Sequence, residues 1–179
     1  MATEPRMPAK DAIWLYDLLE RAGIPVWIDG GWAVDALLGR QTREHGDLDI
    51  ALEARFLDRL RDVLAEHGLR EVPKEDSRPW NFVLGNGCGL EVDVHAFVFD
   101  ENGDGVYGPP ENGQYYRKEA LTGRGFICGR PVRCISPEWL VRFHTGYDPR
   151  QKDFHDVVAL CQHFGIELPA GFRRGPTSR

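Results

Sequence analysis

Apolar residues recur at helical spacing in three stretches of the first half of the chain, and each stretch is closed by a glycine. Ala12, Leu15, Leu18, Leu19 and Ala22 share one face and Gly23 offers a left-handed stop, which predicts an amphipathic helix over Lys10–Ala22. Pro25–Ile28 reads as a strand. After Gly30-Gly31, Ala33, Val34, Leu37 and Leu38 predict a second helix ending at Gly39, and Phe56, Leu57, Leu60, Val63 and Leu64 a third ending at Gly68. Between these two helices Leu48, Ile50 and Leu52 alternate with polar or small residues, as a half-buried strand does. A short strand near Leu69–Val72 and a hairpin, Trp80–Leu84 with Leu90–Phe99 around Gly85-Asn86-Gly87, complete this half.

From Asp100 to Gly125 the chain is rich in Gly, Asn and Pro and has no period, which predicts a functional loop or lid bordering a site. Ile127–Ile135 reads as a strand pair. Ser136-Pro137 and Asp148-Pro149 each set a capping side chain before a proline, so two C-terminal helices should begin there. Gly171–Arg179 has no period and reads as a frayed tail. The expectation is an α/β (α+β) fold with a mixed β-sheet flanked by helices: a core over 1–135, helices over 136–170 packed on it, and a flexible tail over 171–179.

Composition narrows the function. The 179 residues are 42% hydrophobic and 11% aromatic, too apolar for a disordered chain. A net charge of −6 argues against a polynucleotide ligand, whose phosphates need clustered Lys and Arg, and in favour of a small molecule. No apolar run approaches the roughly 20 residues that span a bilayer, and the first residues lack the apolar stretch of a signal peptide, so no membrane partner and a cytoplasmic location are expected. Cys88, Cys128, Cys134 and Cys161 lack zinc-site spacing and read as reduced thiols, mostly in the core.

The strongest chemical signal is Asp47-Leu48-Asp49. On a strand both carboxylates project from one face while Leu48 enters the core. Glu91, Asp93 and His95 repeat this spacing in the later strand. If the two strands are neighbours, three aspartates converge, and an all-oxygen cluster suits Mg²⁺ with substrate phosphates as further ligands. The alternative is a set of solvated carboxylates paired to Arg40, Arg43 or Arg55. Gly30-Gly31, between a strand and a helix N-terminus, adds a place where phosphate can approach the main chain. Together these features describe metal-dependent phosphoryl transfer. Asp100–Glu111 also fits the calcium-loop pattern of an EF-hand, but a strand precedes it and Pro109-Pro110 blocks the second helix, so a hairpin loop is expected. His144, His155 and His163 read as surface or packing residues.

The run Gly30-Gly31-Trp32-Ala33-Val34-Asp35-Ala36-Leu37-Leu38-Gly39-Arg40, then Thr42–His45 and Asp47-Leu48-Asp49, resembles the antibiotic nucleotidyltransferases of the DNA polymerase beta superfamily. Val92–His95, Pro110–Gly113, Pro131–Ser136 and Phe143–Asp148 resemble, in order, the small lincosamide nucleotidyltransferases; the aminoglycoside 2''-nucleotidyltransferase shares the first block and Gly129–Cys134. The resemblance implies the nucleotidyltransferase fold and transfer of AMP from ATP to an antibiotic hydroxyl with release of pyrophosphate. The acceptor it implies is a lincosamide (lincomycin or clindamycin) first and an aminoglycoside second. It implies Asp47, Asp49 and Asp93 as Mg²⁺ ligands, with Asp93 or His95 as the base. An imidazole titrates nearer neutrality, which favours His95. Where many relatives carry Gly-Ser this chain has Gly30-Gly31, so Arg40, Arg43 and Lys152 are expected to help hold the triphosphate. Glu91, Tyr107, Tyr115 and Tyr116 are candidates for the acceptor, although exposed aromatics also suit a homodimer interface. The rival of another class is a non-catalytic module on the same fold, which loss of a metal carboxylate would mark.

Overall fold

The two strands that carry the carboxylates are neighbours in the middle of one mixed sheet in the computed structural model, which describes residues 6–173. In chain order the elements are α1 (Ala9–Arg21), β1 (Val26–Ile28), α2 (Gly30–Leu38), β2 (Leu48–Glu53), α3 (Leu57–Glu66), β3 (Arg70–Val72), β4 (Asn81–Gly85) and β5 (Glu91–Phe99). They continue with β6 (Gly105–Tyr107), β7 (Tyr115–Tyr116), β8 (Gly123–Ile127), β9 (Arg130–Cys134), α4 (Pro137–Phe143) and α5 (Gln151–Phe164). The sheet order is β3-β4-β5-β2-β1-β9-β8. β2 runs parallel to β5 and β1 parallel to β9; the remaining pairs are antiparallel. This is the mixed α/β architecture that the alternating patterns imply.

β5 keeps its alternation, with Val92, Val94 and Ala96 buried and Glu91, Asp93 and His95 on the other face. β2 buries Leu48, Ile50 and Leu52 as expected, but Ala51 as well, because a strand this central is covered on both sides. α2 packs on β2, β8 and β9 and also meets α4 and α5, so it links the sheet to the C-terminal helices. Among the described residues no helix is long and apolar enough to cross a membrane.

Four expectations are corrected. The stretch from Asp100 to Gly125 is not structureless: β6 pairs with the outer end of β5 and β7 with β6, and β8 begins at Gly123, earlier than the predicted Ile127. α5 does not start from Asp148-Pro149. Its cap is Arg150, whose backbone N–H donates to the Asp153 carboxylate at 2.8 Å, while Ser136 caps α4 through its carbonyl and its hydroxyl makes no capping bond. Of the four thiols only Cys134 and Cys161 are buried; Cys88 and Cys128 are exposed. Gly171–Arg173, expected with the tail, form an ordered turn in which Phe172 is buried 5.0 Å from the Phe154 ring, and residues 174–179 lie outside the described residues.

The Asp100 turn is the hairpin expected in place of an EF-hand. Asp100 Oδ1 accepts the N–H groups of Asn102 and Asp104, and Asp104 is bound 2.7 Å from Arg117, so these carboxylates close the turn themselves.

Candidate active site

Strand register sets the site. Asp49 on β2 lies opposite Asp93 on β5, and His95 comes one step further along the same face. Asp49, Asp93 and His95 offer ligand atoms that all lie within 4.8 Å of one another. His95 Nε2 is 3.5 Å from Asp49 Oδ1 and 3.8 Å from Asp93 Oδ1. Its Nδ1 is 3.1 Å from the Tyr107 hydroxyl and 3.2 Å from Asn81 Nδ2. The oxygens of Asp49 and Asp93 are hard donors of the kind Mg²⁺ takes, so these two fit such an ion; the expected all-oxygen convergence of three aspartates is not what the strands make, since His95 and not Asp47 is the third member.

The charges here are strongly coupled. Burial pushes Asp93 up to about 6, and the charges of Asp49, Asp47 and Asp76 add to this against the pull of His95. Asp49 stays below the usual carboxylate range: burial opposes its charge, but His95 and then Lys152 outweigh that. For His95 burial again disfavours the charged form, yet its contact with Asp49 and the charges of Asp93 and Asp29 push it up to about 9. Asp47, immediately before β2, is not part of the triad; burial and then Asp49 raise it, and Lys152 opposes them.

The N-terminus of α2 meets the triad edge on. Gly30 has φ +56 and lies so close to the Asp49 carboxylate that an added Cβ would sit 2.6 Å from its Cγ. Asp29 caps the helix, accepting the Gly30 N–H at 2.8 Å and the Tyr116 hydroxyl at 2.8 Å. The expected phosphate cradle is therefore partly filled by the chain's own carboxylate, and helix geometry leaves the Gly31 and Trp32 amides without intrahelical acceptors. Burial, reinforced by Asp49, raises Asp29 above its ordinary value, against the effects of His95 and its two hydrogen bonds.

A cavity of about 520 Å³ opens over Gly30, Asp49 and His95. One wall is aromatic, with Tyr107, Tyr115, Tyr116, Phe143 and Tyr147. Another carries Arg43, Lys152, Arg150 and His144 from the loop before β2, the end of α4 and the start of α5. Arg43 is held by two bonds to Asp156, 2.9 and 2.7 Å. The fold thus brings Gly30, Gly31, Arg43, Asp49, His95, Tyr107, Tyr115, Tyr116 and Lys152 to one cavity. Arg40, Glu91, Asp47 and Asp93 are not among its lining: Arg40 is exposed past the end of α2, Glu91 lies 3.5 Å from Lys74 Nζ, Asp47 sits just before β2, and Asp93 joins Asp49 and His95 from beside the cavity.

Sequence reasoning missed Asp29, Asn81, His144, Arg150, Asp153 and Asp156. Asp29 carried a usable signal, an Asp immediately before a helix-opening Gly-Gly. Asp156 did not, since its partner Arg43 lies 113 positions away, and Asn81 shows only once the register of the β4–β5 hairpin is known.

Comparison with known proteins agrees with this geometry. A family model described as aminoglycoside-2''-adenylyltransferase matches residues 12–160. A lincosamide resistance protein of Staphylococcus haemolyticus is 32% identical over 152 residues, covering 84% of this chain and 92% of the relative. A 2''-aminoglycoside nucleotidyltransferase of Escherichia coli is 34% identical over 165 residues, covering 86% and 88%. Among solved structures, the lincomycin-bound lincosamide antibiotic adenylyltransferase LnuA superposes with TM-score 0.75 at 28% identity, covering 90% of this chain and 99% of that one. ANT(2")-Ia with adenylyl-2"-tobramycin gives TM-score 0.69 at 25% identity, covering 92% and 96%. With the family match running from α1 into α5, across the strands that set the register of Asp49 and Asp93, the chain belongs to the aminoglycoside-2''-adenylyltransferase family of antibiotic nucleotidyltransferases.

Proposed function

We propose that this enzyme transfers AMP from ATP, with Mg²⁺, to a hydroxyl of a small-molecule antibiotic in the cytoplasm, a lincosamide before an aminoglycoside, and releases pyrophosphate. The observation that favours the lincosamide is the state of the cavity's carboxylates. Outside the triad, Asp29 is bonded to Tyr116, Asp153 to Arg150 and Asp156 to Arg43, facing an aromatic wall. A polycationic acceptor needs unpaired negative charge, whereas an acceptor of little charge needs apolar walls. That Asp47, Asp49 and Asp93 are all present counts against a non-catalytic module.

Asp47, Asp49 and Asp93 would hold the ion, which when bound supplies positive charge to the reacting phosphate. Lys152, Arg43 and the Gly31 amide hold the phosphates. The acceptor oxygen attacks the α-phosphorus; His95, neutral once the ion rather than its own proton balances Asp49 and Asp93, takes the acceptor's proton; and the bond from that phosphorus to the bridging oxygen breaks as pyrophosphate leaves. The test is incubation of the protein with ATP, Mg²⁺ and a panel of lincosamides and aminoglycosides, followed by mass spectrometry for added AMP. Adenylylation of lincosamides is expected. Modification of aminoglycosides alone would reject the preferred acceptor, and no modification of either would reject the proposal.

A further inference from the structure

The geometry points to Asn81 as a positioning residue that ties the Asp93 carboxylate to the backbone of β5. Asn81 opens β4, opposite His95 in the β4–β5 register. Its Nδ2 lies 3.2 Å from Asp93 Oδ1, 3.3 Å from the Val94 carbonyl and 3.2 Å from His95 Nδ1. Two of these partners, the carboxylate and the carbonyl, can only accept hydrogen bonds, so the atom facing them is the amide nitrogen and not its oxygen. Val94 O belongs to the strand backbone, which makes it a fixed anchor. The bond to it locks the side chain, and the second hydrogen then pins the Asp93 carboxylate.

This role rests on the reading of Asp93 as a metal ligand. A carboxylate free to swing loses part of its affinity to the cost of ordering it, and removing a partner that orients a ligand typically weakens metal binding by about 10–100-fold. A residue needed only for folding would leave the metal affinity of the folded protein unchanged.

The experiment is titration of the full chain with Mn²⁺, free ion being counted by its paramagnetic resonance signal, with thermal unfolding followed on the same samples. Asn81→Ala and Asn81→Leu are expected to weaken Mn²⁺ binding about 10–100-fold, Leu preserving the volume should the cavity left by Ala unfold the hairpin. Asp93→Asn is expected to weaken it at least as much. If both Asn81 variants bind Mn²⁺ within twofold of the parent while Asp93→Asn does not, the positioning role is overturned. If Asp93→Asn also binds within twofold, the ligand assignment of Asp93 has failed and the role of Asn81 falls with it.

Discussion

Gly30→Ala isolates the contact between α2 and Asp49. At φ +56 an alanine pays a left-handed backbone penalty of about 1–2 kcal/mol. Its Cβ would also lie 2.6 Å from Asp49 Cγ, against an ordinary separation of about 3.5–4.0 Å, so the carboxylate or the helix end must retreat by about 1 Å. Backbone strain alone should lower the melting temperature by about 2–8 °C in a chain of this size. Displacing a reacting or metal-binding group by about 1 Å should cost about 100-fold in turnover. Gly39→Ala separates the two effects, because Gly39 closes the same helix at φ +68 with nothing within 4 Å of an added Cβ. Both variants are assayed for adenylyl transfer and thermal unfolding. The expected result is a loss of stability in both, at least as large in Gly30→Ala, and loss of turnover only in Gly30→Ala. Turnover by Gly30→Ala within a few-fold of Gly39→Ala would refute the argument.

Asp47→Asn and Asp49→Asn should each cut turnover by more than about 100-fold while keeping the parent melting temperature within a few degrees; activity within a few-fold of the parent in either would remove that residue from the metal set. The Asp100 turn should show no calcium site by calorimetry, since its carboxylates already bind the turn and Arg117; a Ca²⁺ heat that Asp104→Ala abolishes would reverse this. For His95, a value near 9 in the folded protein against 6.5 unfolded means that its contribution is full below pH 6.5 and is lost as pH rises through 9. Chelator-treated protein should therefore lose up to about 3 kcal/mol in urea unfolding between pH 7 and 9.5 that His95→Ala does not lose, a window lying above the value of about 6 for Asp93. Identical pH dependence in parent and variant would disprove the coupling.

What the sequence made legible was periodic. Leu48, Ile50 and Leu52 on one strand and Val92 and Val94 on another set which carboxylates share a face, and the Gly-Gly before a helical pattern marked where that helix begins. What it hid depended on distant partners. β6 and β7 are three and two residues long and exist because β5 offers them an edge, so their sequence carries no period to find. The glycines of β8 disguise it, since glycine is depleted from strands in general, although Gly123 and Gly125 are buried in this one. Arg43 meets Asp156 across 113 positions of chain, and nothing local to either residue announces it. Asp148-Pro149 is a good local cap, yet α5 starts later because Arg150 is the cap residue and Asp153, three residues into the helix, accepts its N–H.

β5 is long enough to serve two masters. Its first half, paired to β4, holds Asp93 and His95; its last three residues, Phe97–Phe99, carry the β6–β7 ribbon with Tyr107, Tyr115 and Tyr116. The ribbon can therefore be rebuilt, lengthened or exchanged during evolution without disturbing the register of Asp49 on Asp93, which lies upstream on the same strand. Two relatives of this chain are named for acceptors as unlike as a lincosamide and an aminoglycoside. Two bonds constrain refitting, the Tyr107 hydroxyl at His95 Nδ1 and the Tyr116 hydroxyl to Asp29: a new ribbon must supply partners at both points or leave a buried carboxylate without its donor.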